Sequence, residues 1–503
     1  MRISLTALAI TPLVAMACGS NNGASGQGGH GGAATGDTCE FATQCGPTDE
    51  QFFSNDKVAE VHITFDKADL DKAVQELRSQ GHEETLDTWL DVLWGKWKHC
   101  APYDNFVPVT VEYRSPDGVG NATLRQVGMR LRGTKGRGRN EIQGFKLDFR
   151  ASLPPTGDGG VAPDRRFAGE TKISLLSLES DHSLMVQALA YKLMRDWKDV
   201  PAPRCNHLKV YVNGVYYALI QNVEEVDDSR FIKNAFKKSE DDGALYSCSG
   251  GCGYDDSFAD LEYYGDTFTD YETPKRYEQV RQVDSPETEL IPMLKCGDGK
   301  ATPDDAVFKT CINEWIDVNE WLKLIAAESL MPTLQSFLGA KRNFYLYFKT
   351  DAAAPHGGRF QIYSWDYDAA LTYESCYPSN CDPFTAVTGW YGPAGVRAKL
   401  ATRLTSVFKA EYCAAMNRFL HDVYRPEAVD ELAATLEPVI SAESFQFADG
   451  VDTMGQKFKR EPLTPQEWQA DVAKIREFII THGAKAQAQV DAACSSLPPG
   501  GAP

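Results

Sequence analysis

Apolar and polar positions alternate along the first half of the chain and take up a helical period in much of the second. Val61-His-Ile-Thr-Phe65 alternates residue by residue, the pattern of a half-buried strand. Asp66 stands where a helix N-cap belongs, with Asp69 in the first turn behind it. Leu70, Val74 and Leu77 share one stripe, which predicts a helix over 67–79. Segments 107–113, 127–132 and 145–149 read as strands. In the last, Phe145, Leu147 and Phe149 face inward, while Lys146 and Asp148 share the other face. A helix over 184–197 precedes a hairpin over 208–220, whose Asn213-Gly214 is the strongest short turn signal in the chain. Residues 236–310 are acidic and Gly-rich and read as an irregular insertion with a minor strand or two. Residues 315–331 read as helix, and from 396 the chain is mostly helical, ending with a helix over 466–493. The result is an α+β chain in two lobes, a strand-rich N-terminal lobe and a helical C-terminal lobe with a cleft between them.

Two aromatic-rich strands break the helical second half. Arg342-Asn343-Phe-Tyr-Leu-Tyr347 opens with an amide side chain, and Gly357-Gly-Arg-Phe-Gln-Ile-Tyr-Ser-Trp-Asp366-Tyr-Asp368 ends in two carboxylates. A period of two puts Asp366 and Asp368 on one face of their strand. An amide and one or two carboxylates at the end of a strand pair supply hard oxygen ligands, which suit Mg²⁺ and a bound triphosphate. The plainer alternative is a β-hairpin with solvated acids at its tip.

Charge and cysteine usage narrow the class. The 503 residues carry a formal net charge of −19, which argues against nucleic acid as a partner because phosphate binding needs a basic footprint. The first 17 residues have the layout of a signal peptide, with Arg2 ahead of an apolar stretch over 5–15 that is too short to span a bilayer. Ala15-Met-Ala17-Cys18 resembles a lipoprotein cleavage site, so Cys18 is the expected lipid attachment and membrane anchor, followed by a Gly/Ser-rich tether over 18–50. This predicts an exported, membrane-anchored lipoprotein in the periplasm or on the cell surface, with ordinary A-x-A cleavage before Cys18 as the alternative. Removing Cys18 leaves twelve of the 13 cysteines, an even number suited to disulfides. Cys39/Cys45, Cys248/Cys252 and Cys376/Cys381 are spaced as local staples. The remaining layout is 51–235 for the strand-rich lobe, 236–310 for the insertion, 311–495 for the helical lobe and 496–503 for a disordered tail.

The order of several landmarks resembles the spore-coat-protein-H (CotH) kinase family, secreted or surface proteins with an atypical protein-kinase-like fold. The landmarks are Val127-Gly-Met-Arg-Leu-Arg-Gly133, Gly144-Phe-Lys-Leu-Asp-Phe149, Ile173-Ser-Leu-Leu-Ser-Leu-Glu-Ser-Asp181, Pro201-Ala-Pro203, Val210-Tyr-Val-Asn-Gly-Val-Tyr-Tyr217 with Val223-Glu-Glu-Val-Asp227, Asn343-Phe-Tyr-Leu-Tyr347 and Ser364-Trp-Asp-Tyr-Asp368. The resemblance implies that Asp366 and Asn343 hold Mg²⁺ or Mn²⁺, with Asp368 an accessory acid in catalysis. It places Glu224 and Arg132 near the nucleotide and a glycine turn at Gly133, with Lys135, Arg137 and Arg139, near the phosphates. ATP and a surface protein carrying Ser or Thr are the implied substrates.

Three departures weigh against phosphoryl transfer. No Asp or Glu lies between Glu328 and Asp351, where the family pattern implies a carboxylate base. Ile142 and Gln143 stand where the family has a lysine, which leaves Lys146 as the substitute on that strand. Val186-Gln187 replaces the glutamate expected to pair with that lysine, so a hydrogen bond is the most it would offer. The competing expectation is therefore a pseudokinase-like scaffold that binds a surface partner without turnover. Cys296-Gly-Asp-Gly-Lys-Ala-Thr-Pro-Asp304-Asp305 has the oxygen-rich look of a Ca²⁺ loop, although its spacing does not fit an EF-hand.

Overall fold

The computed structural model describes residues 45–82, 85–98, 106–132, 142–151, 164–177, 181–198, 200–248, 259–273, 275–282, 286–333, 335–372, 398–444, 450–451, 456–458 and 463–495. These all belong to one unit, Asp37–Pro503. Seven strands form a closed barrel in the order β1-β2-β3-β4-β5-β7-β6: β1 Ala59–Phe65, β2 Val107–Arg114, β3 Ala122–Arg132, β4 Gly144–Asp148, β5 Lys172–Ser177, β6 Cys205–Val212 and β7 Val215–Val223. Neighbours pair antiparallel except β1 with β6, which run parallel and close the ring. Closure leaves no unpaired strand edge in the barrel. The β6–β7 turn follows from its sequence, since Asn213 and Gly214 both adopt positive φ as a two-residue hairpin requires.

Helices α1 Asp49–Phe52, α2 Lys67–Ser79 and α3 Trp89–Lys98 flank the first strands. Trp89 from α3 is fully buried and packs on Phe65, Phe145 and Tyr217, filling the barrel with aromatic surface. The helix α4, Val186–Asp196, lies between β5 and β6 in sequence, and α5, Ser229–Ala235, follows β7.

A second sheet has the order β11-β10-β8-β9: β8 Leu245–Cys248, β9 Glu278–Arg281, β10 Phe344–Thr350 and β11 Gly358–Ser364. All four residues of β8 are buried, and it pairs with β10. The stretch expected to be an irregular insertion with a minor strand or two supplies β8 and β9, and Leu245, Tyr246 and Cys248 of β8 are buried in the sheet. Around it lie α6 Leu290–Gly297, α7 Asp305–Trp315, α8 Val318–Leu330, α9 Lys399–Val407, α10 Lys409–Asp422, α11 Pro426–Ser444 and α12 Pro465–Cys494, with a short hairpin of β12 Gly450–Val451 and β13 Lys457–Phe458. The helix expected over 315–331 is α8, which starts three residues later, at Val318. Ile316 is extended and bridges Phe360, and Asp317 caps a new helix by accepting from Glu320 N–H.

Cys296–Cys311 ties α6 to α7, and Cys413–Cys494 ties α10 to the end of α12, with Cα atoms 5.7 and 6.2 Å apart. Cys45 is also disulfide-bonded. Cys248, expected in a staple with Cys252, is instead a free thiol: it sits in the buried core of the second sheet, where its side chain packs among apolar neighbours. Cys205 is a second buried free thiol. Cys39, Cys252, Cys376 and Cys381 lie outside the described residues, as do the signal peptide, Cys18 and the expected tail. No described helix is long and apolar enough to cross a membrane.

Candidate nucleotide and metal site

Strands β3, β4 and β5 present one row of polar groups away from the barrel core. Register places Lys146 beside Arg130 on one side and Ser174 on the other, with Arg132 and Lys172 one pleat away in opposite directions along β4. The chain after β7 brings Glu225 onto this row. Its carboxylate accepts from Lys146 Nζ and Arg132 Nη1, each at 2.8 Å, and from the Ser174 hydroxyl. Lys172 pairs with Asp227 at 2.6 Å. Burial would raise the Glu225 carboxyl, but Arg132, Lys146 and Lys172 together hold it well below the usual carboxylate range. Burial pulls Lys146 down to about 8, with Lys172 and Arg132 pushing the same way and Glu225 opposing.

Glu224 points elsewhere. Its carboxylate accepts from Arg204 N–H, Nε and Nη2 at 3.0, 3.1 and 2.7 Å. Successive residues of an extended segment face opposite ways, so Glu225 meets Lys146 and Glu224 does not. Glu224, the glutamate expected near the nucleotide, is thus turned to Arg204, and only side-chain packing distinguishes it from Glu225.

The second sheet brings the amide and the acid together. Trp365 N–H donates to the Asn343 carbonyl at 3.0 Å, extending the β10–β11 pairing by one step beyond Ser364. Asn343 Nδ2 then donates to Asp366 Oδ2 at 2.7 Å. Both residues are in the left-handed region, with φ of 57° and 70°. Such conformations cost non-glycine residues roughly 1–3 kcal/mol and cluster at sites of function. Because β11 ends at Ser364 and Asp366 turns left-handed, the expected strand alternation of Asp366 and Asp368 does not apply.

Asp368 stands close enough to Asp181 for its charge to matter. Burial first, and the Asp368 charge last, push the Asp181 carboxyl up to about 6 against hydrogen bonds from Ser183 and Val186 N–H. Asp181 thereby caps the start of α4.

Arg132 joins the two halves. Its guanidinium lies 4.7 Å from the centre of the Trp365 ring, one residue before Asp366, while donating to Glu225. Tyr363 O–H donates to the Val226 carbonyl at 3.0 Å, fastening β11 to the segment that carries Glu225 and Asp227.

Glu328 is spent on structure. It accepts from Ser364 Oγ, Tyr367 Oη and Leu338 N–H at 2.6, 3.1 and 2.8 Å, and burial raises its carboxyl despite those bonds. Gln187 does not contact Lys146. It accepts from Tyr367 N–H and Tyr191 O–H, both at 3.0 Å.

Gly133, Lys135, Arg137 and Arg139 lie outside the described residues. In the expected Ca²⁺ loop, Asp298 accepts from Lys300 N–H and Asp304 caps α7 through Val307 N–H, so both carboxylates serve local turns. Among the described residues, no three His, Cys, Asp or Glu side chains gather as a metal cluster. An Asn–Asp pair that shares its ion with phosphate oxygens is a different donor set, and it suits Mg²⁺, which keeps few protein ligands.

The family model described as CotH kinase protein matches residues 129–484, most of the chain. The chain belongs to the CotH kinase family. No curated protein matches it. The matched span contains every site residue named above: the CotH family's region here runs through Arg132, Lys146, Glu224, Glu225, Asn343, Asp366 and Asp368.

Proposed function

We propose that this CotH kinase family protein binds ATP with a divalent ion and passes the γ-phosphate to Ser or Thr of surface proteins. The observation that carries the reading is the 2.7 Å contact of Asn343 with Asp366, with Arg132 reaching from the barrel to the neighbouring Trp365. In this reading the barrel and the helical part serve as the two lobes of a kinase-like fold, and the site lies where they meet.

Asn343 and Asp366 hold Mg²⁺ or Mn²⁺, which when bound neutralises charge on the phosphates. Arg132 presents its flat guanidinium fork, oriented by Trp365 and Glu225, to phosphate oxygens. Lys146 serves as the phosphate-facing lysine, and Glu225 takes the role expected of a helix glutamate. Asp368 orients the acceptor hydroxyl and takes its proton. The lipid-anchored, exported location is part of the same proposal, and a Cys18→Ala chain would be recovered in the soluble fraction.

One observation favours a second reading, a non-catalytic binding module of the same fold. Glu328, the last carboxylate before Asn343, is buried and engaged, and the next acid in sequence is Asp351. A thermal-shift titration of ATP with Mg²⁺ on the oxidised chain separates the readings. At a hundred times Kd, binding stabilises the folded state by about 2.7 kcal/mol. Asp366→Ala is expected to abolish that shift, and labelled γ-phosphate is expected to reach protein. Binding without transfer leaves the second reading, and no binding defeats the nucleotide reading.

A further inference from the structure

Helix α4 and the peptide carrying Asp366 are joined by a set of uncharged hydrogen bonds. Tyr367 N–H donates to Gln187 Oε1 at 3.0 Å, and Asp366 N–H donates to Tyr191 Oη at 3.1 Å. Tyr191 O–H donates to the same Gln187 oxygen at 3.0 Å. Gln187 Nε2 donates to Gln221 Oε1 on β7 at 2.7 Å. Gln187, Tyr191 and Gln221 are all buried, with no more than 1% of their surface exposed. One amide therefore ties α4, the barrel and the residue after Asp366 together.

Asp366 needs such support. Its left-handed backbone is unfavourable by itself, and its direction decides where the carboxylate points. Two consecutive N–H groups of that peptide are given to α4. Lys146, by contrast, takes its carboxylate from Glu225 on the chain after β7 and nothing from α4. The two halves of the site thus hang on different supports.

We propose that Gln187 is a positioning residue that, directly and through Tyr191, sets the Asp366 carboxylate for a divalent ion, so that α4 governs metal affinity and leaves nucleotide affinity to Arg132 and Lys146. This rests on the reading of Asn343 and Asp366 as metal ligands.

The test uses the full mature chain with three variants. Gln187→Met keeps the length and removes the hydrogen bonds, Gln187→Glu keeps the acceptor, and Tyr191→Phe removes the contact to Asp366 N–H. The probes are Mn²⁺ titrated at saturating ATP, ATP titrated in EDTA, and amide hydrogen exchange of residues 364–368 without ligand. In Gln187→Met, exchange of the Asp366 and Tyr367 amides is expected to rise roughly tenfold, the size of one lost buried hydrogen bond. Mn²⁺ affinity falls by a similar factor while ATP affinity in EDTA is unchanged. Gln187→Glu, which keeps the acceptor for Tyr367 N–H, keeps the exchange protection of that amide, and Tyr191→Phe reproduces the loss more weakly, which covers the case of a Gln187→Met chain that does not fold. Unchanged exchange, or metal and ATP affinities falling together, overturns the proposal. Mn²⁺ binding lost in Asp366→Ala but intact in Gln187→Met overturns the positioning alone, whereas no Mn²⁺ binding in the wild type overturns the metal-site reading as well.

Discussion

Glu224 and Glu225 are adjacent in sequence, both buried, and their surroundings have opposite charge balance. On the Glu224 side, the carboxylates of Asp49, Glu170, Glu224 and Asp228 are answered among the described residues by Arg204 and Arg230. On the Glu225 side, Arg132, Lys146 and Lys172 meet Glu225 and Asp227. An acid excess in a dry place is relieved by holding a proton, and burial with Asp228 and Glu224 nearby pushes the Glu170 carboxyl up to about 10. Among the bases of the second cluster, burial first, then Lys172 and Arg132 against Glu225, pull Lys146 down to about 8. The first cluster is closed on itself, and the second is the one that the proposed function assigns to the phosphates.

The largest effect expected from breaking this contrast comes from Glu225→Gln. It leaves Lys146 and Arg132 buried without their shared carboxylate, and loss of one partner of a buried pair costs about 3–5 kcal/mol. Urea unfolding would show the loss, and ATP in EDTA would recover part of it. Glu224→Gln should lose stability with no recovery by ATP. Equal recovery in both variants would erase the distinction between the two sides.

Glu170 supplies a pH test of intermediate size. Its proton affinity is raised in the folded state, so its contribution to stability is complete below the ordinary carboxyl range and is lost as pH climbs toward about 10. Glu170→Gln mimics the protonated acid and should remove that loss. The gap between variant and wild type should be near zero at pH 4.5 and widen toward pH 9, by up to about 1.4 kcal/mol per pH unit. Parallel pH profiles would mean that Glu170 is ionised in the fold.

Arg132→Lys is the finest cut. The charge stays, but the flat stack on Trp365 and the fixed fork are lost, at about 0.5–2 kcal/mol. Calorimetry should show ATP binding weakened, with the melting temperature lower by only a few degrees. A large drop in melting temperature would make Arg132 a structural residue.

Much of the architecture was readable from the residues. The α2 helix, the Asn213-Gly214 turn and the strands around Lys146 have local causes: a cap, a left-handed pair of residues, a period of two. Seven landmarks in order identified the family over most of the chain. What local pattern could not supply was pairing at a distance. Nothing in the period of 236–310 announces that β8 belongs beside β10, and Cys248 looked like a staple because spacing carries no information about burial. Glu225 was passed over for its neighbour because facing is decided by what packs on each side. Gln187 read as a lost charge, whereas the fold uses it to hold a backbone.

By itself the amino-acid order determined which segments coil, extend and turn, and which residue types stand at the end of β11. Which glutamate faces Lys146 and what supports the left-handed peptide were decided only when the barrel, α4 and the second sheet came together. The physical reason is that hydrogen bonds and ion pairs act over a few ångströms, while these partners are separated by tens to hundreds of residues of chain.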